Sequence, residues 1–448
     1  ANGYVENITC NNNKVTGQTA SSSNSKGGTV CLTGDNATIT KSIFNVSSAL
    51  VDGGALYITG NNVNVTKSDF IDCTVYNTND DKEHRGGAIY ILGNYTNVLE
   101  CTFDKSKAQF GGDVFIEGHD VTVDHAKSTN AYAYSLGGSV FIKGDKATIS
   151  WTNVSSAEAA ISGGAIYING KYATVENSTF NATFAKSGSS YVKDVNYGGA
   201  IYIEGDYANV VGSQLDTAGA YQGGAVYLKG SHCNVTNSSI SNSYSDSDGG
   251  AIYSTGSYSN VYYSNFTNNV ANFNGGAVYW FGGANSIHNT VLGSTFVNNT
   301  ALANGAQSTK GGGAIYWSEK GSYGTIKDSK FINNYVETST QKADGGAVLW
   351  DTNTHCLIDN CTFDGNHIKG AAKDWVQGGS IYFRSNNVTV SNSLFKNSWS
   401  SQEGGALYIA NDKRPAAFSP IDIHIINTTF INNTAKAEVS ASDHDYGG

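Results

Sequence analysis

Two carboxylates in this chain could act as a catalytic pair. Asp124 and Glu176 occupy the same position in repeats two steps apart, which would separate them by roughly 10 Å along a stack of strands. Two acids at a wide separation can hydrolyse a glycosidic bond with inversion. Ser150 and Val211 occupy that position in neighbouring repeats, so no further charge collects there. We interpret the pair as part of a solvated face and predict that the chain is not an enzyme.

The sequence also contains no pattern that is typical of a metal or cofactor site. The nine His residues are scattered, and we interpret Asp443, His444 and Asp445 as a solvated loop. Seven Cys is an odd number at irregular intervals, which matches neither a disulfide framework nor a zinc site. We expect no cofactor and no metal. We expect the cysteines to be small buried hydrophobic residues, and the alternative is a single disulfide within or between coils. The cysteines are Cys10, Cys31, Cys73, Cys101, Cys233, Cys356 and Cys361.

Composition narrows the class of protein further. With 53 Gly, 2 Pro and 14% charged residues, the chain is poor in helix formers and rich in residues that make tight turns. The net charge is −10 without any cluster of Lys and Arg, so nucleic acid is not an expected partner. No apolar run reaches the roughly 18 residues that a membrane span needs.

Many Asn-x-Ser/Thr sequons accompany this composition. A sequon requires only an exposed site in a secreted chain, so surface N-glycosylation is one interpretation, and a by-product of an Asn- and Thr-rich repeat is the other. Representative acceptor sites are Asn7, Asn64, Asn181, Asn298 and Asn432.

The elements that must position these residues follow from a repeat. A Gly-Gly pair followed by a small, an aliphatic and an aromatic residue recurs along the chain, and eight of fourteen intervals are 25 or 26 residues. A short period kept this often, with insertions explaining the longer intervals, indicates one coil per repeat. The pair begins at Gly27, Gly53, Gly86, Gly111, Gly137, Gly163, Gly198, Gly223, Gly249, Gly275, Gly312, Gly345, Gly378 and Gly404, and again at Gly447.

Each repeat contains three short apolar segments. With the first Gly as position 1, position 4 is aliphatic, position 5 is mostly Tyr or Phe, position 13 is aliphatic in regular copies, and position 18 is often Phe. Side chains alternate along a strand, so position 5 should form an aromatic ladder facing outward. Three strands in about 26 residues leave no room for a crossover helix. We therefore predict an all-β fold, a single right-handed parallel β-helix of about 14 coils of three short strands.

Two departures from the repeat suggest a binding site. Position 6 changes from Ile or Leu to Trp280, Trp317, Trp350 and Phe383 in successive coils. Trp repeats poorly in a narrow core, so one interpretation is an exposed aromatic strip that binds sugar rings or an apolar partner. The alternative is a locally wider core. Trp375 lies in an insertion of the same region and completes the predicted ligand-binding set.

The insertions form the second departure. The turn before the next Gly-Gly pair lengthens in six repeats, always at the same place in the coil, so these segments should project from one edge. Recognition usually resides on loops held by a rigid scaffold, and tolerated drift at an exposed turn is the alternative. The longer segments are residues 75–85, 185–197, 301–311, 337–344, 367–377 and 435–446.

These motifs resemble known families. Gly-Gly-Ala-Ile together with Phe-x-x-Asn, which appears at Phe266–Asn269, Phe296–Asn299 and three later copies, is similar to the repeat pair of the chlamydial polymorphic outer membrane proteins. It also resembles the adhesin-like surface proteins of methanogenic archaea. In coils before residue 249, Ser, Cys, Ala or Thr replaces the Asn. Both resemblances imply a β-helical protein displayed outside the cell and acting in attachment.

Taken together, the sequence predicts one continuous β-helix over residues 1–448 with uncapped ends, forming a segment of a longer extracellular, cell-surface protein. The first hypothesis is a non-enzymatic adhesin or surface stalk that contacts a host or neighbouring cell-surface protein or glycan through its edge loops. The second is a structural filament or sheath subunit that self-associates through the ends of the rod. A polysaccharide-processing enzyme is the third.

Overall fold

The fold contains only strands and turns. In the computed structural model no described residue lies in an α-helix, so no helix is long and apolar enough to cross a membrane. The chain divides into two compact units, Ala1–Tyr221 and Gln222–Gly448, and each is a stack of parallel coils. The structure describes residues 2–15, 25–75, 83–281, 288–303, 311–318, 323–338, 342–351, 354–370, 376–385, 387–410 and 422–436.

The first sheet of each unit follows the Gly-Gly pairs, and its strands pair in parallel with their copies in the next coil. In the first unit the strands are Val30–Thr33, Leu56–Thr59, Ile89–Leu92, Val114–Glu117, Val140–Lys143, Ile166–Asn169 and Ile201–Ile203. In the second unit they are Val226–Leu228, Ile252–Ser254, Val278–Trp280, Ile315–Trp317, Val348–Asp351, Ile381–Arg384 and Leu407–Ile409.

The second sheet contains the aliphatic residue at position 13. Its strands in the first unit are Tyr4–Glu6, Thr38–Thr40, Asn64–Thr66, Asn97–Leu99, Thr122–Asp124, Thr148–Ser150, Thr174–Glu176 and Asn209–Val211. Its strands in the second unit are Asn234–Thr236, Asn260–Tyr262, Thr290–Leu292, Thr325–Lys327, Cys356–Asp359, Asn387–Ser391 and Asp422–Ile426.

The third sheet has two short strands in most coils, whereas the three apolar segments of the repeat predict one strand per coil in each sheet. The first unit contributes Thr9–Asn11, Ile43–Asn45, Ser48–Ala49, Asp69–Ile71, Thr74–Val75, Thr102–Asp104, Lys107–Phe110, Lys127–Thr129, Tyr132–Leu136, Asn153–Ser155, Glu158–Ala159, Thr179–Ala185 and Gln214–Ala220. The second unit contributes Ser239–Ser241, Tyr244–Ser245, Asn265–Thr267, Val270–Ala271, Thr295–Val297, Thr300–Ala301, Lys330–Ile332, Tyr335–Thr338, Thr362–Asp364, His367–Gly370, Leu394–Lys396, Trp399–Ser400, Thr429–Ile431 and Thr434–Ala435.

The Gly-Gly pair is required by close backbone packing. Gly53 has φ 63°, a conformation that L side chains rarely adopt, and a Cβ there would lie 2.0 Å from the carbonyl oxygen of Leu56. A Cβ on Gly54 would lie 1.9 Å from the carbonyl oxygen of Gly87 in the next coil. The first glycine therefore makes the turn, and the second lets adjacent coils approach.

Columns of like side chains fill the core as the repeat predicts. In the first unit Phe44, Phe70 and Phe103 stack with ring centroids 5.0 and 5.1 Å apart. In the second unit the successive Phe residues at position 18 are separated by 4.7 to 5.1 Å. The parallel β-helix predicted from the sequence is therefore confirmed.

The Phe-x-x-Asn motif builds a buried hydrogen-bond ladder in the second unit. The Asn299 amide donates to the carbonyl oxygen of Phe266 at 3.0 Å and to Asn334 Oδ1 at 2.9 Å. Its own Oδ1 accepts from the backbone and side-chain nitrogens of Asn269 at 3.1 and 2.9 Å. Each Asn thus satisfies backbone groups at a corner. A second set of amide hydrogen bonds lies at position 12, where Asn97 donates to Asn64 Oδ1 at 2.9 Å.

Position 5 forms the predicted aromatic ladder on the face of the first sheet opposite the aliphatic columns. Tyr167 and Tyr202 stack at 4.6 Å in the first unit. In the second unit Tyr253 and Tyr279 stack at 4.9 Å, and Tyr279 and Tyr316 at 5.0 Å. These rings are only 5% to 9% exposed, so the ladder is not an open surface.

The cysteines are all free thiols. Five are buried, as expected for small apolar residues, whereas Cys10 is half-buried and Cys31 is exposed. Burial raises the pKa of Cys73 and Cys356 to about 12, so these thiols stay protonated and unreactive at neutral pH.

Candidate functional site

The Trp column lies in the core, so the predicted exposed aromatic strip is wrong. Trp280, Trp317 and Trp350 are 1%, 2% and 0% exposed. Their rings stack at 4.4 and 4.5 Å, and Phe383 stacks on Trp350 at 5.0 Å. Position 6 faces inward, where burial of large apolar rings is favourable, so these rings belong to the core. Trp375 lies outside the described residues.

Room for the Trp rings comes from small residues beside them. A Cβ on Gly324 would lie 2.8 Å from Trp350 Nε1, so only glycine fits there. Ser254 occupies position 6 in the coil before Trp280 and is itself buried. Small neighbouring residues thus make room for the large rings inside the coil. None of the four rings at position 6 is exposed to a ligand.

Three successive insertions pack against one another at their bases. Their described residues form a hydrophobic cluster in which every member is buried. The cluster contains Ala301, Ala303, Val336, Ala343, Ile368 and Val376. Ala301, Val336 and Ile368 continue the third-sheet core column of Ala271. The members that the insertions add to this column are Ala303, Ala343 and Val376. Loops that drifted independently would not share a buried core.

Backbone pairing connects the last two of these insertions. The third-sheet strands Tyr335–Thr338 and His367–Gly370 continue two residues beyond the usual length. A separate two-stranded parallel sheet pairs Ala343–Asp344 with Val376–Gln377. We call this packed region the insertion lobe, comprising residues 301–303, 336–338, 342–344, 367–370 and 376–377. The tips, residues 304–310, 339–341 and 371–375, lie outside the described residues.

A buried carboxyl group lies within the insertion lobe. Asp344 is buried, and its Oδ1 has no hydrogen-bond partner among the described residues. Burial raises the pKa of Asp344 to about 8, although the charges of Arg384 and Lys342 act in the opposite direction. The carboxyl is therefore protonated at neutral pH, so the lobe carries an uncharged acid there.

The insertion at residues 185–197 is fully described and folds back onto the preceding coil. The buried Asn196 amide donates to the carbonyl oxygens of Ala160 and Ile161 at 2.8 and 3.0 Å. A Cβ on Gly219 would lie 2.2 Å from the hydroxyl oxygen of Tyr191, so that glycine accommodates the loop. This segment is a fixed surface feature of the first unit.

The other insertions are described only in part. Arg85, at the end of the 75–85 segment, binds the buried Asp52 carboxylate through Nε and Nη2 at 2.9 and 3.1 Å. Residues 76–82 and the segment from residue 437 onward lie outside the described residues. Their predicted role as projecting loops stays a prediction.

An exposed ring column that sequence reasoning missed lies at the turn between the first and second sheets of the second unit. His232, Tyr258, His288, Tyr323 and His355 stack with centroids 4.8, 5.0, 4.6 and 4.5 Å apart. All five have φ between 54° and 58°, and all are exposed. We call this column the imidazole–phenol ladder. Its sequence signal is an aromatic residue recurring at a turn position where Asn or Gly is favoured.

Of the two carboxylates considered for catalysis, Asp124 takes part in local hydrogen bonds. Asp124 accepts hydrogen bonds from Ser150 Oγ at 2.6 Å and from His125 Nδ1 at 2.7 Å. Partial burial raises its pKa, but these hydrogen bonds outweigh that effect and hold the pKa below its usual range. Glu176 lies two coils further along the same sheet. Among the described residues, no three His, Cys, Asp or Glu side chains are arranged to hold a metal ion.

The sequons differ in exposure. Asn7, Asn181, Asn298 and Asn432 are exposed, whereas Asn64 is half-buried within a strand. N-glycosylation at these positions stays a prediction.

One stretch of the second unit matches a family model. Residues 293–316 match the Chlamydia polymorphic membrane protein repeat, and they include Phe296, Asn299 and the Gly312-Gly313 pair. No curated protein matches the chain. The chain therefore contains a repeat of the polymorphic membrane protein type, which is a repeat of cell-surface and outer-membrane proteins.

Proposed function

We propose that the protein is a non-enzymatic adhesin that attaches to a cell-surface protein or glycan through the insertion lobe. The observation that carries this proposal is the buried cluster shared by three successive insertions. The β-helix supplies a rigid support, and binding residues are commonly carried on loops positioned by such a scaffold. The repeat family of surface proteins is consistent with this role.

Packing within the lobe favours a functional surface over tolerated drift. A Cβ on Gly370 would lie 2.7 Å from Val376 Cγ2 in its own insertion and 3.3 Å from Thr338 Cγ2 in the preceding one, and Ala343 pairs with Val376 in register. The pairing of Ala343 with Val376 joins residues 33 positions apart in the chain, so the last two insertions support each other. A preorganised surface loses less conformational entropy when it binds a partner.

The decisive experiment shortens the three insertions together. Deleting 304–310, 339–341 and 371–375 should preserve the thermal unfolding midpoint of the β-helix, since regular coils manage with short turns. We expect it to abolish attachment of protein-coated beads to the cells that the parent protein binds. The matched control shortens the described insertion 185–197 and should leave attachment unchanged. Equal attachment by the folded, trimmed protein and the parent would contradict the proposal.

A further inference from the structure

The imidazole–phenol ladder lies on a strip of the second unit whose charged residues are confined to its borders. None of the described residues in its five aligned turns, 230–235, 256–261, 288–291, 323–326 and 354–358, is Asp, Glu, Lys or Arg. Lys229 lies at one border, and Lys327 and Asp359 form an ion pair of 3.2 Å at the other. The equivalent turns of the first unit carry charges, among them Asp120, Lys146 and Asp206. In a protein with net charge −10, such a strip suits a partner without charge.

The rings of this ladder present their edges to solvent. Neighbouring ring planes are inclined by only 1° to 16°, so the faces of the inner rings contact one another. Tyr258 and Tyr323 are nevertheless 38% and 45% exposed, and their hydroxyl groups have no hydrogen-bond partner among the described residues. A partner that stacks on ring faces would find them occupied, whereas a partner that hydrogen-bonds to edges would find a regular row.

Hydrogen-bonding groups continue beside the ladder. Asn234 and Asn260, on adjacent second-sheet strands, are linked by an amide hydrogen bond of 2.9 Å and are half-buried. Thr290 and Thr325 follow at the same position in the next two coils. The strip therefore combines phenol, imidazole, amide and hydroxyl groups, each repeated at the spacing of the coils.

Aromatic side chains are not required to close this turn. A non-glycine residue in the left-handed region is disfavoured by roughly 1 kcal/mol, and Asn tolerates that region better than Tyr. Asn36 and Asn62 occupy the equivalent turn in the first unit, so the coil closes without an aromatic ring. The same turn holds Tyr95, Tyr172 and Tyr207 in other coils of that unit.

We propose that the imidazole–phenol ladder binds a neutral polysaccharide lying along the stacking direction of the coils. A linear polysaccharide offers a repeating row of hydroxyl groups that can donate to and accept from the ring edges and the flanking amides. A protein partner would favour an apolar centre with accessible ring faces, and this ladder offers edges only. The site is separate from the insertion lobe.

The test is affinity electrophoresis of the whole chain in native gels containing amylose, hydroxyethylcellulose, a β-1,3-glucan or a β-mannan. The parent should be retarded by at least one of these polymers. The double variant Tyr258→Phe and Tyr323→Phe keeps the ring stack and removes two hydroxyls, and it should weaken binding about tenfold. Tyr258→Ala and Tyr323→Ala together should weaken it further.

The matched control uses the stacked, exposed pair Tyr172 and Tyr207 at the equivalent turn of the first unit, whose centroids are 5.1 Å apart. There the adjacent Lys171 and Asp206 form an ion pair of 3.2 Å, so the surroundings of these rings are charged. Replacing both by Phe should leave retardation unchanged. The proposal is overturned if none of the neutral polymers retards the parent, or if the Tyr258 and Tyr323 double Phe variant binds as the parent does. It is also overturned if the control pair weakens binding equally, or if heparin or polygalacturonate retards the protein more strongly.

Discussion

Single residues with positive φ form the turns between strands in the described coils. Asn62, Lys67 and Asp72 in one coil have φ values of 58°, 49° and 49°, one at each of three turns. A short polar residue tolerates this conformation better than a branched or bulky one. Trp151, which has φ 47° and is exposed, therefore marks a corner where side-chain choice departs from the least strained option.

Asp113 should make the stability of the first unit depend on pH. The carboxyl is buried and accepts hydrogen bonds from Ser128 and Ser139, and burial raises its pKa from 3.8 to about 7. The folded state therefore holds a proton that the unfolded chain has lost, so the contribution of Asp113 to stability is greatest below about pH 4 and is lost as pH rises through about 7. Asp113→Asn should remove this slope and be the more stable protein at pH 8.

Urea unfolding at pH 5, 6, 7 and 8 measures the effect. Asp124→Asn is the control, because hydrogen bonds hold the pKa of that half-buried carboxylate below its usual range and its contribution has the opposite sign. A parent protein whose stability does not decline relative to Asp113→Asn between pH 5 and 8 would show that the Asp113 carboxyl is not desolvated.

A substitution of Ile201 tests which positions of the first-sheet strands face the core. Ile201 occupies position 4, is fully buried and pairs with Ile166. Ile201→Asp would bury a charge without a partner and should lower the free energy of unfolding by roughly 3 to 5 kcal/mol. Gln214→Asp, at an exposed strand position, should change it by about 0.5 kcal/mol or less. Equal melting of Ile201→Asp and the parent would mean that position 4 does not face the core.

At the scale of elements, the Asn ladder should stabilise the third sheet of the second unit. Asn299→Ala removes four buried hydrogen bonds, among them the one to the carbonyl oxygen of Phe266, so we expect the free energy of unfolding in urea to fall by roughly 2 to 4 kcal/mol. Asn299→Ser should lose less, because Ser243 occupies this position in another coil. The neighbouring exposed Asn298, with φ 53°, should tolerate Asn298→Gly. Equal losses at both sites would argue against the ladder.

At the scale of the whole molecule, the loss of stability caused by a core substitution should remain local. Each coil pairs only with its neighbours, and stability in such a stack is approximately a sum of nearest-neighbour terms. Hydrogen exchange of the Ile201→Asp variant should therefore accelerate in the first-sheet strands Ile166–Asn169 and Ile201–Ile203, and stay as in the parent at Ile315–Trp317. Uniform acceleration across both units would indicate a single cooperative fold and contradict nearest-neighbour stability.

The repeat in the sequence was sufficient to predict three strands in each coil, the stacking and most of the core, but not the second short strand of the third sheet. Side chains alternate along a strand, and a 26-residue period places like residues above like, so the Phe column and the outward ring ladder follow from local pattern. The glycine pairs follow as well, because a turn with positive φ favours Gly. Even the position of the insertions could be predicted from the lengths between pairs.

Only the tertiary structure decided which surfaces are available. The Trp280 column was predicted to be exposed from residue size alone, whereas Gly324 and neighbouring small residues, contributed from other turns, make room for the rings inside. The shared core of the insertions and the exposed edges of the imidazole–phenol ladder likewise depend on contacts between residues about 30 positions apart. Periodicity predicts which face a side chain takes, but exposure depends on what the neighbouring coils place around it.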